Sequence, residues 1–593
     1  MESHQKRLDQ LRSVMLNDGI SHLIIYSADP HFNEDLPEYW QVIKWLSGFT
    51  GSTATIVVTQ DFAGLWTDSR YFIQAEKELQ GSGFEFVKIT SGEKTGYLNL
   101  LNEIITQHSV VGFDGRIFPA SAFGKLKSGV SGKEVTFVTD YDPITALWTD
   151  RPGLPSSMAF DHPVIYCGTE RSAKMNEIRE LMDRRNIRFQ YLASPDDIMW
   201  MLNIRGKDLS YSPLVLSFAL VSAEQILLFV DENKIHAALA TEFDDLGIAI
   251  LPYEEATSII TQVTKESTVL VDPETISVSL QVSLSKNARI VEDKSIPSAL
   301  KAVRNKTEIR NTCDTMIKDG IALTRFFIWL ENSVGRQELS ELILSEKIHE
   351  FRSMQDGFLG PSFETIVAFN ANGALPHYTP NQDINTIIGE RGILLVDSGG
   401  QYLGGTTDIT RTLSIGSPSS EQKRDFTLVL KGHIDLACAK FPEGTRGYQL
   451  DMLARKALWE AGLNYGHGTG HGVGFCLNVH EGPQSVSPAA NRTILRAGMI
   501  ISNEPAIYRE DEYGIRTENL LLCFEDEVTE FGKFLKFDTV SLCFIDKSLI
   551  ERSLMTQEQI EWLNAYHSEV FNKLSPFLSE EEKIWLKDKT TPL

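Results

Sequence analysis

Cysteine is scarce in this sequence: six residues in 593 (Cys167, Cys313, Cys438, Cys476, Cys523 and Cys543), widely spaced and without a CxxC pair. Neither a disulfide framework nor a cysteine-based zinc site is expected, and reduced thiols are the default. Cys476 lies near a histidine-rich loop, but nothing around it reads as a thiol-protease signature, so it is taken as a small packed residue. Basic charge is also in deficit, with 56 Lys and Arg against 80 Asp and Glu and a formal net charge of −24. A phosphate-binding surface needs the opposite balance, so nucleic acid is not an expected partner. Long apolar runs are missing too. None approaches the ~18 residues of a membrane span, and "MESHQKRLDQLRSVML" at the N-terminus lacks the apolar stretch of about 7–15 residues found in secretory signals. No membrane partner is expected, and the expected location is cytoplasmic.

What is present is enough chain for several domains of ordinary globular composition. Two N-terminal segments look like weak copies of one plan: amphipathic helix, strand, Trp-to-Gly turn, further strand. The first runs "HQKRLDQLRSVM", "SHLIIYS", "WLSGFTG", "LWTDSR" and the second "SAKMNEIRELM", "FQYLAS", "WMLNIRG", "LLFVD". Trp45 stands six residues before Gly51, and Trp200 six before Gly206. Helical periodicity alternating with short β-branched runs is the pattern of α/β domains. A linker is expected in "LWTDRPGLPSS", with Pro152 and Pro155, and a second boundary near Pro297. The predicted organisation is α/β throughout: domain I over 1–155, a similar domain II over 156–300, and a third domain over 301–593 that opens with a long helix from about Lys301.

The third domain carries its own duplication. "GILLVDSGG" is an apolar strand ending in Asp397, and the returning Thr-rich strand "TTDITRTLSI" carries Asp408; about a hundred residues later "GMIISNEPAIY" and "GIRTENLLLC" repeat the plan with Glu504 and Glu518. A buried carboxylate is costly unless paired or bound to a cation. Any one of these acids would more often be a strand end or a turn residue. Four in two matching hairpins call for an explanation. Between the hairpins lies "YGHGTGHGVG", with His467 and His471 four residues apart and five glycines in ten residues. That glycine content makes a helical H-E-x-x-H zinc motif improbable. A loop in which backbone passes close to a ligand is one reading, a solvated glycine-rich loop the other.

Four carboxylates and an imidazole form an oxygen-rich set suited to two divalent ions. Mn²⁺ is favoured over thiolate-seeking metals, with Zn²⁺ and Co²⁺ as alternatives. Ions about 3.5–4 Å apart acidify a water shared between them and clamp a tetrahedral intermediate, which predicts metal-assisted hydrolysis.

Taken in order, "LLVDSGGQYLGGTTDITRT", "HGTGHGVG", "NVHEGP", "NEPAIY" and "GIRTEN" resemble the cytosolic Xaa-Pro aminopeptidase (aminopeptidase P) family. The resemblance extends over nearly the whole chain, including "WTDSRYFIQAEKEL" in the first domain. It implies two creatinase-like N-terminal α/β domains and a catalytic domain of the pita-bread fold. It further implies metal ligands Asp397, Asp408, His471, Glu504 and Glu518, with Glu504 also shuttling the proton. His377 in "LPHYTP", His467, and His480 in "NVHEGP" would line the substrate site, and Arg516 would orient it through a carboxylate contact. The implied substrate is a peptide with proline at position two, and the implied assembly is a homodimer. Asn503 stands where the family often has Asp, and Thr517 where Ile is frequent; neither is a ligand.

Arg70 and Tyr71 follow the turn "LWTDS", and Arg70 is a candidate substrate contact, with a structural Arg–Asp pair as the alternative. Trp45 and Trp200 are expected in cores, and His433 as a structural or surface histidine. The C-terminal "TQEQIEWLNAYHSEVFNKL" is expected to pack its apolar face on the catalytic domain or a partner subunit. Prolidase and methionine aminopeptidase share the implied catalytic fold, but a prolidase usually has one domain before it, and the methionine enzyme leaves the N-terminal half unexplained. A non-catalytic pita-bread binding protein is the remaining alternative, and the presence of all five ligands argues against it.

Overall fold

The computed structural model describes residues 3–68, 70–89, 96–382 and 384–593. The chain forms two compact units. The first contains most of residues 1–299, and the second contains 300–593 together with the short segments 162–168 and 211–213.

The first unit holds the two expected copies. In copy one, helix α1 (His4–Asn17) precedes strands β1 (His22–Tyr26), β2 (Thr55–Val58), β3 (Ala63–Thr67), β4 (Glu85–Lys88), β5 (Val110–Gly112) and β6 (Thr136–Val138). They form one sheet in the order β4-β3-β2-β1-β5-β6. In copy two, α2 (Arg171–Arg184) precedes β7 (Phe189–Leu192), β8 (Phe218–Ser222), β9 (Ile226–Phe229), β10 (Ile248–Leu251), β11 (Thr268–Val271) and β12 (Arg289–Glu292), ordered β10-β9-β8-β7-β11-β12. The pairing senses also match: the two central pairs are antiparallel and the outer three parallel in both sheets. Ser3 caps α1 by accepting from the Lys6 amide, and Leu8, Leu11 and Met15 form its buried stripe. Trp200 is buried, whereas Trp45 is half-buried and stacks on Trp148 at 5.2 Å.

The second unit opens differently from the expected single long helix. A short helix ends at Lys301, and α3 (Lys306–Ser333) starts afresh after a break. The cause is local. Asn305 takes an extended conformation and caps α3 in a box with Glu308, while its Nδ2 donates to the Cys167 carbonyl oxygen at 2.8 Å. Next come α4 (Glu341–Ser353) and a three-stranded antiparallel sheet, β13 (Ile366–Phe369), β14 (Gly392–Ser398) and β15 (Ile409–Ile415), with β14 central. Helices α5 (Ser420–Ala437) and α6 (Asp451–Glu460) pack on each other. Strand β16 (Lys440–Pro442) runs between them in sequence, and after them come β17 (Gly470–His471), β18 (Ile500–Asn503), β19 (Ala506–Arg509), β20 (Tyr513–Arg516), β21 (Asn519–Thr529) and β22 (Gly532–Thr539). A second sheet joins β16 to three of these strands. The sheet order is β16-β22-β21-β18, and β19 pairs with β20 as a separate ribbon. The C-terminal α7 (Gln557–Leu574) buries Leu563, Val570 and Leu574 completely in the same core as Val429, Leu458 and Ile515. Each such side chain contributes about 1.5–3 kcal/mol of burial. The expected apolar face of this segment therefore covers the second unit itself.

Candidate active site

Both expected acid pairs lie where paired strands meet an irregularity. Asp397 is the sixth residue of β14, opposite Thr410, and Asp408 immediately precedes β15. Glu504 sits in the break between β18 and β19, where Pro505 cannot donate to a ladder, and Glu518 sits in the matching break between β20 and β21. These breaks re-aim the strands, and the two hairpins converge. The Glu518 amide donates to the Thr410 carbonyl oxygen at 3.2 Å, and Thr410 Oγ1 donates to Glu518 Oε2 at 2.7 Å.

The histidine stretch is a loop, as its glycines require, ending in the two-residue strand β17. A methyl group on Gly470 would run into the Ser502 carbonyl oxygen, and one on Gly472 into that of Glu481. Glycine here lets the loop lie directly against β18. His471 Nε2 comes to 3.4 Å from Asp408 Oδ2 and 3.6 Å from Glu504 Oε1. Three overlapping sets each offer donor atoms within 4.8 Å of one another: Asp397, Asp408 and Glu518; His471, Glu504 and Glu518; Asp408, His471 and His480. The five expected ligands thus fall into one cluster. His480, at its exposed edge, lies within the same reach, with its ring 4.3 Å from that of His471.

The electrostatics of the cluster are those of a site short of positive charge. Desolvation raises the carboxyl of Asp397, partly offset by Arg516 and reinforced by Asp408. Burial, with Asp408 and Asp397 nearby, raises Glu518 strongly. Burial pushes Glu504 up to about 7 against the favourable fields of His471 and Arg516. Asp397 Oδ1 is buried without a hydrogen-bond partner among the described residues. An orphaned oxygen on a carboxylate that lies within reach of Asp408 and Glu518 matches the donor preference of hard divalent cations.

Arg516 is buried and makes the expected carboxylate contact: Nη2 donates to Asp397 Oδ2 at 2.5 Å, Nε to Thr410 Oγ1 at 3.1 Å and Nη1 to the Tyr508 hydroxyl at 2.6 Å. Tyr508 extends the line, because its hydroxyl lies 2.9 Å from His467 Nε2. Burial pushes the Tyr508 phenol up to about 12, so it stays a neutral donor. With Nδ1 of His467 2.7 Å from the Gly468 carbonyl oxygen, the tautomer that donates there accepts from Tyr508. Tyr508 was not singled out in the sequence, although Glu504 and Tyr508 share strand parity and period-2 alternation could have flagged it. His377 lies half-buried in the turn after Asn370–Ala374, a segment packed against Gly514 of β20. The next residue, Tyr378, donates to Glu341 at 2.6 Å, and that buried carboxylate also accepts from the Phe369 and Thr386 amides.

Two further candidates have partners of their own. Arg70 belongs to the first unit, where Nε and Nη2 hold Asp68 at 2.9 and 2.8 Å and Nη1 stands 3.7 Å from Glu34. His433 is buried in α5 as a structural histidine. Its Nδ1 is 3.1 Å from the Asn503 carbonyl oxygen and its Nε2 3.0 Å from Asn519 Nδ2, and burial, then Arg411, lowers it to about 3. Asn503, the departure from the resembled pattern, donates back to the His433 carbonyl oxygen at 2.8 Å. It supports the strand that leads into Glu504.

Two hairpins presenting four acids beside a histidine loop define a metallopeptidase of the pita-bread class. The family model described as metallopeptidase family M24 matches residues 314–525, and that for the C-terminal region of the same peptidases matches 533–593. Models described as the creatinase/prolidase N-terminal domain match 7–145 and 150–308, one on each copy of the repeated domain. Aminopeptidase P2 of Arabidopsis thaliana is 37% identical over 97% of this chain and 86% of its own length. Xaa-Pro aminopeptidase 1 of Dictyostelium discoideum is 35% identical over 99% of this chain and 96% of its own. An X-prolyl aminopeptidase from Caenorhabditis elegans, described as a cytosolic enzyme with a di-nuclear active site, superposes with a TM-score of 0.96 at 33% identity, covering 100% of both chains. The chain belongs to the Xaa-Pro aminopeptidase (aminopeptidase P) family of metallopeptidases.

Proposed function

We propose that this enzyme is a metal-dependent exopeptidase that releases the N-terminal residue from peptides carrying proline at position two, using two divalent ions held by Asp397, Asp408, His471, Glu504 and Glu518. The observation that carries this reading is the convergence of those four carboxylates and one imidazole, with a buried Asp397 oxygen lacking a protein partner. When bound, the ions would supply an acidified water and Lewis-acid polarisation of the scissile carbonyl. Oxygen donors outnumber nitrogen four to one, which supports Mn²⁺ as the resident metal.

The remaining chemistry belongs to side chains. Glu504 accepts the proton of the attacking water and passes it to the leaving nitrogen, a role suited to a carboxylate beside His471 at the partly open edge of the cluster. His377 and His480 donate hydrogen bonds to the substrate and to charge developing on its carbonyl oxygen. Both ring nitrogens of His467 are engaged, so this residue offers its ring surface to the substrate. Shape recognition is what a proline-directed enzyme needs, since the Xaa-Pro nitrogen carries no hydrogen to read. The substrate's free α-amino group binds near the carboxylates, which limits cleavage to the first bond. Arg70 is kept as a substrate contact for an adjacent copy of the chain in a homodimer, the assembly the family implies. A cytoplasmic location accords with the cytosolic description of the C. elegans relative. No helix among the described residues is long and apolar enough to cross a membrane.

The test is mass spectrometry of three digests with Mn²⁺. Arg-Pro-Pro should release free Arg, Arg-Ala-Pro should be much poorer, and the N-acetylated peptide inert. Preference for an Xaa-Pro dipeptide would make the enzyme a prolidase, and efficient cleavage of Arg-Ala-Pro would remove proline from the function.

A further inference from the structure

Alternating glycines give residues 465–471 little backbone stiffness of their own, yet the loop carries both His467 and His471. Side chains of α6 anchor it. Asp451 and Arg455, one helical turn apart, are 3% and 2% exposed and pair at 2.7 Å between Oδ2 and Nε. The guanidinium then reaches the loop: Nη1 donates to the Tyr465 carbonyl oxygen at 2.8 Å and to Asn464 Oδ1 at 3.3 Å, and Nη2 donates to the His467 carbonyl oxygen at 2.7 Å. It also lies 3.9 Å over the Tyr465 ring. Asp451 Oδ1 accepts from Thr469 Oγ1 at 2.6 Å, and that hydroxyl meets the Tyr465 phenol at 2.6 Å. Residues 465, 467 and 469 are therefore each fastened to one buried ion pair. The Thr469 carbonyl oxygen in turn accepts the Glu504 amide at 2.8 Å.

A buried ion pair is a poor stability device, because well-packed apolar residues of similar volume often do as well or better. What it supplies is direction: a planar fork aimed at two carbonyls, and a carboxylate aimed at one hydroxyl. We propose that Asp451 and Arg455 are positioning residues for the reaction, fixing His467 against Tyr508 and, through Thr469, the backbone of Glu504. The proposal rests on the peptidase reading for its kinetic consequence only. Neither residue is assigned to touch substrate or metal. Misplacing a group by about 1 Å costs up to about 100-fold in rate.

The test uses full-length protein carrying Arg455→Lys or the isosteric Asp451→Asn, each alone and combined with His467→Ala. Four quantities are read: kcat, KM, bound metal, and amide hydrogen exchange of residues 464–472 with and without Mn²⁺. Arg455→Lys should keep wild-type metal content, lose about 10- to 100-fold in kcat with KM nearly unchanged, and exchange faster within 464–472. In the His467→Ala background the same substitution should cost less than in wild type, because the part of its effect that passes through the His467 side chain is already gone and only the route through Thr469 to Glu504 remains. Equal losses in both backgrounds, wild-type kcat in both variants, or unchanged exchange in both would overturn the proposal. If wild-type protein failed to cleave an Xaa-Pro peptide, the functional reading would fall, and exchange in the metal-free variants would still decide the clamp.

Discussion

Replacing Arg516 by methionine removes the guanidinium that pairs with Asp397 and leaves its aliphatic volume in place. Three bonds disappear: the charge-assisted contact to Asp397 at 2.5 Å and those to Tyr508 and Thr410. Breaking a buried pair from one side costs about 3–5 kcal/mol, since the remaining charge is left uncompensated. For a unit of this size, about 2 °C accompanies each kcal/mol, so metal-free Arg516→Met should melt about 6–10 °C below wild type at pH 8. Two conditions should shrink that deficit. Bound divalent ions would neutralise Asp397 and leave about 1–3 kcal/mol for the lost guanidinium bonds to the Tyr508 and Thr410 hydroxyls. Acid does the same by another route, because the carboxyls of Asp397, Glu504 and Glu518 are all raised and their protonated forms need no cation. Differential scanning calorimetry at pH 5.5 and 8, with and without Mn²⁺, reads all four cases. A deficit of one size in every condition would refute the assignment of Arg516 as charge compensation for the acid cluster.

The two histidines of the loop should separate: His471→Ala is expected to lose bound metal, whereas His467→Ala keeps it and loses turnover, as metal analysis and kinetics on both will show. The opposite outcome would exchange their roles. Glu504→Gln and Asp408→Asn replace anionic donors by amides of the same shape and should abolish activity with little change in far-UV circular dichroism; near-normal turnover in either would refute its ligand role. Raised carboxyl groups bind more protons folded than unfolded, so stability of the metal-free protein should fall as pH rises from about 4.5 through about 7. Over the same window metal affinity should rise, because binding requires the ionised forms. Chemical denaturation and metal titration across that range measure both, and metal-free stability that climbs with pH would contradict the burial of these acids.

The parts of this fold that follow from local periodicity could be read directly. The two copies of the N-terminal plan, the acid-bearing hairpins and the refusal of "YGHGTGHGVG" to form a helix all came from spacing and glycine content. What could not be read depends on contacts between residues far apart in sequence. The helix expected from about Lys301 restarts at Lys306, where the extended Asn305 caps it and also reaches Cys167, 138 positions earlier. Tyr508 gains its meaning only once the strands place it between His467 and Arg516. Glu341 and Arg455 would pass as ordinary charged residues of amphipathic helices, and only folding aims the one at Tyr378 and the other at the histidine loop. The assignment of the five ligands came from the family resemblance, since residue pattern alone establishes acids beside a histidine loop and not which atoms share an ion.

Anomalous diffraction from crystals grown with Mn²⁺ tests the central claim most directly. Two peaks about 3.5–4 Å apart, bounded by the side chains of Asp397, Asp408, His471, Glu504 and Glu518, are the predicted result. A single peak, or two that leave Asp397 or Glu518 outside the coordination, would contradict it.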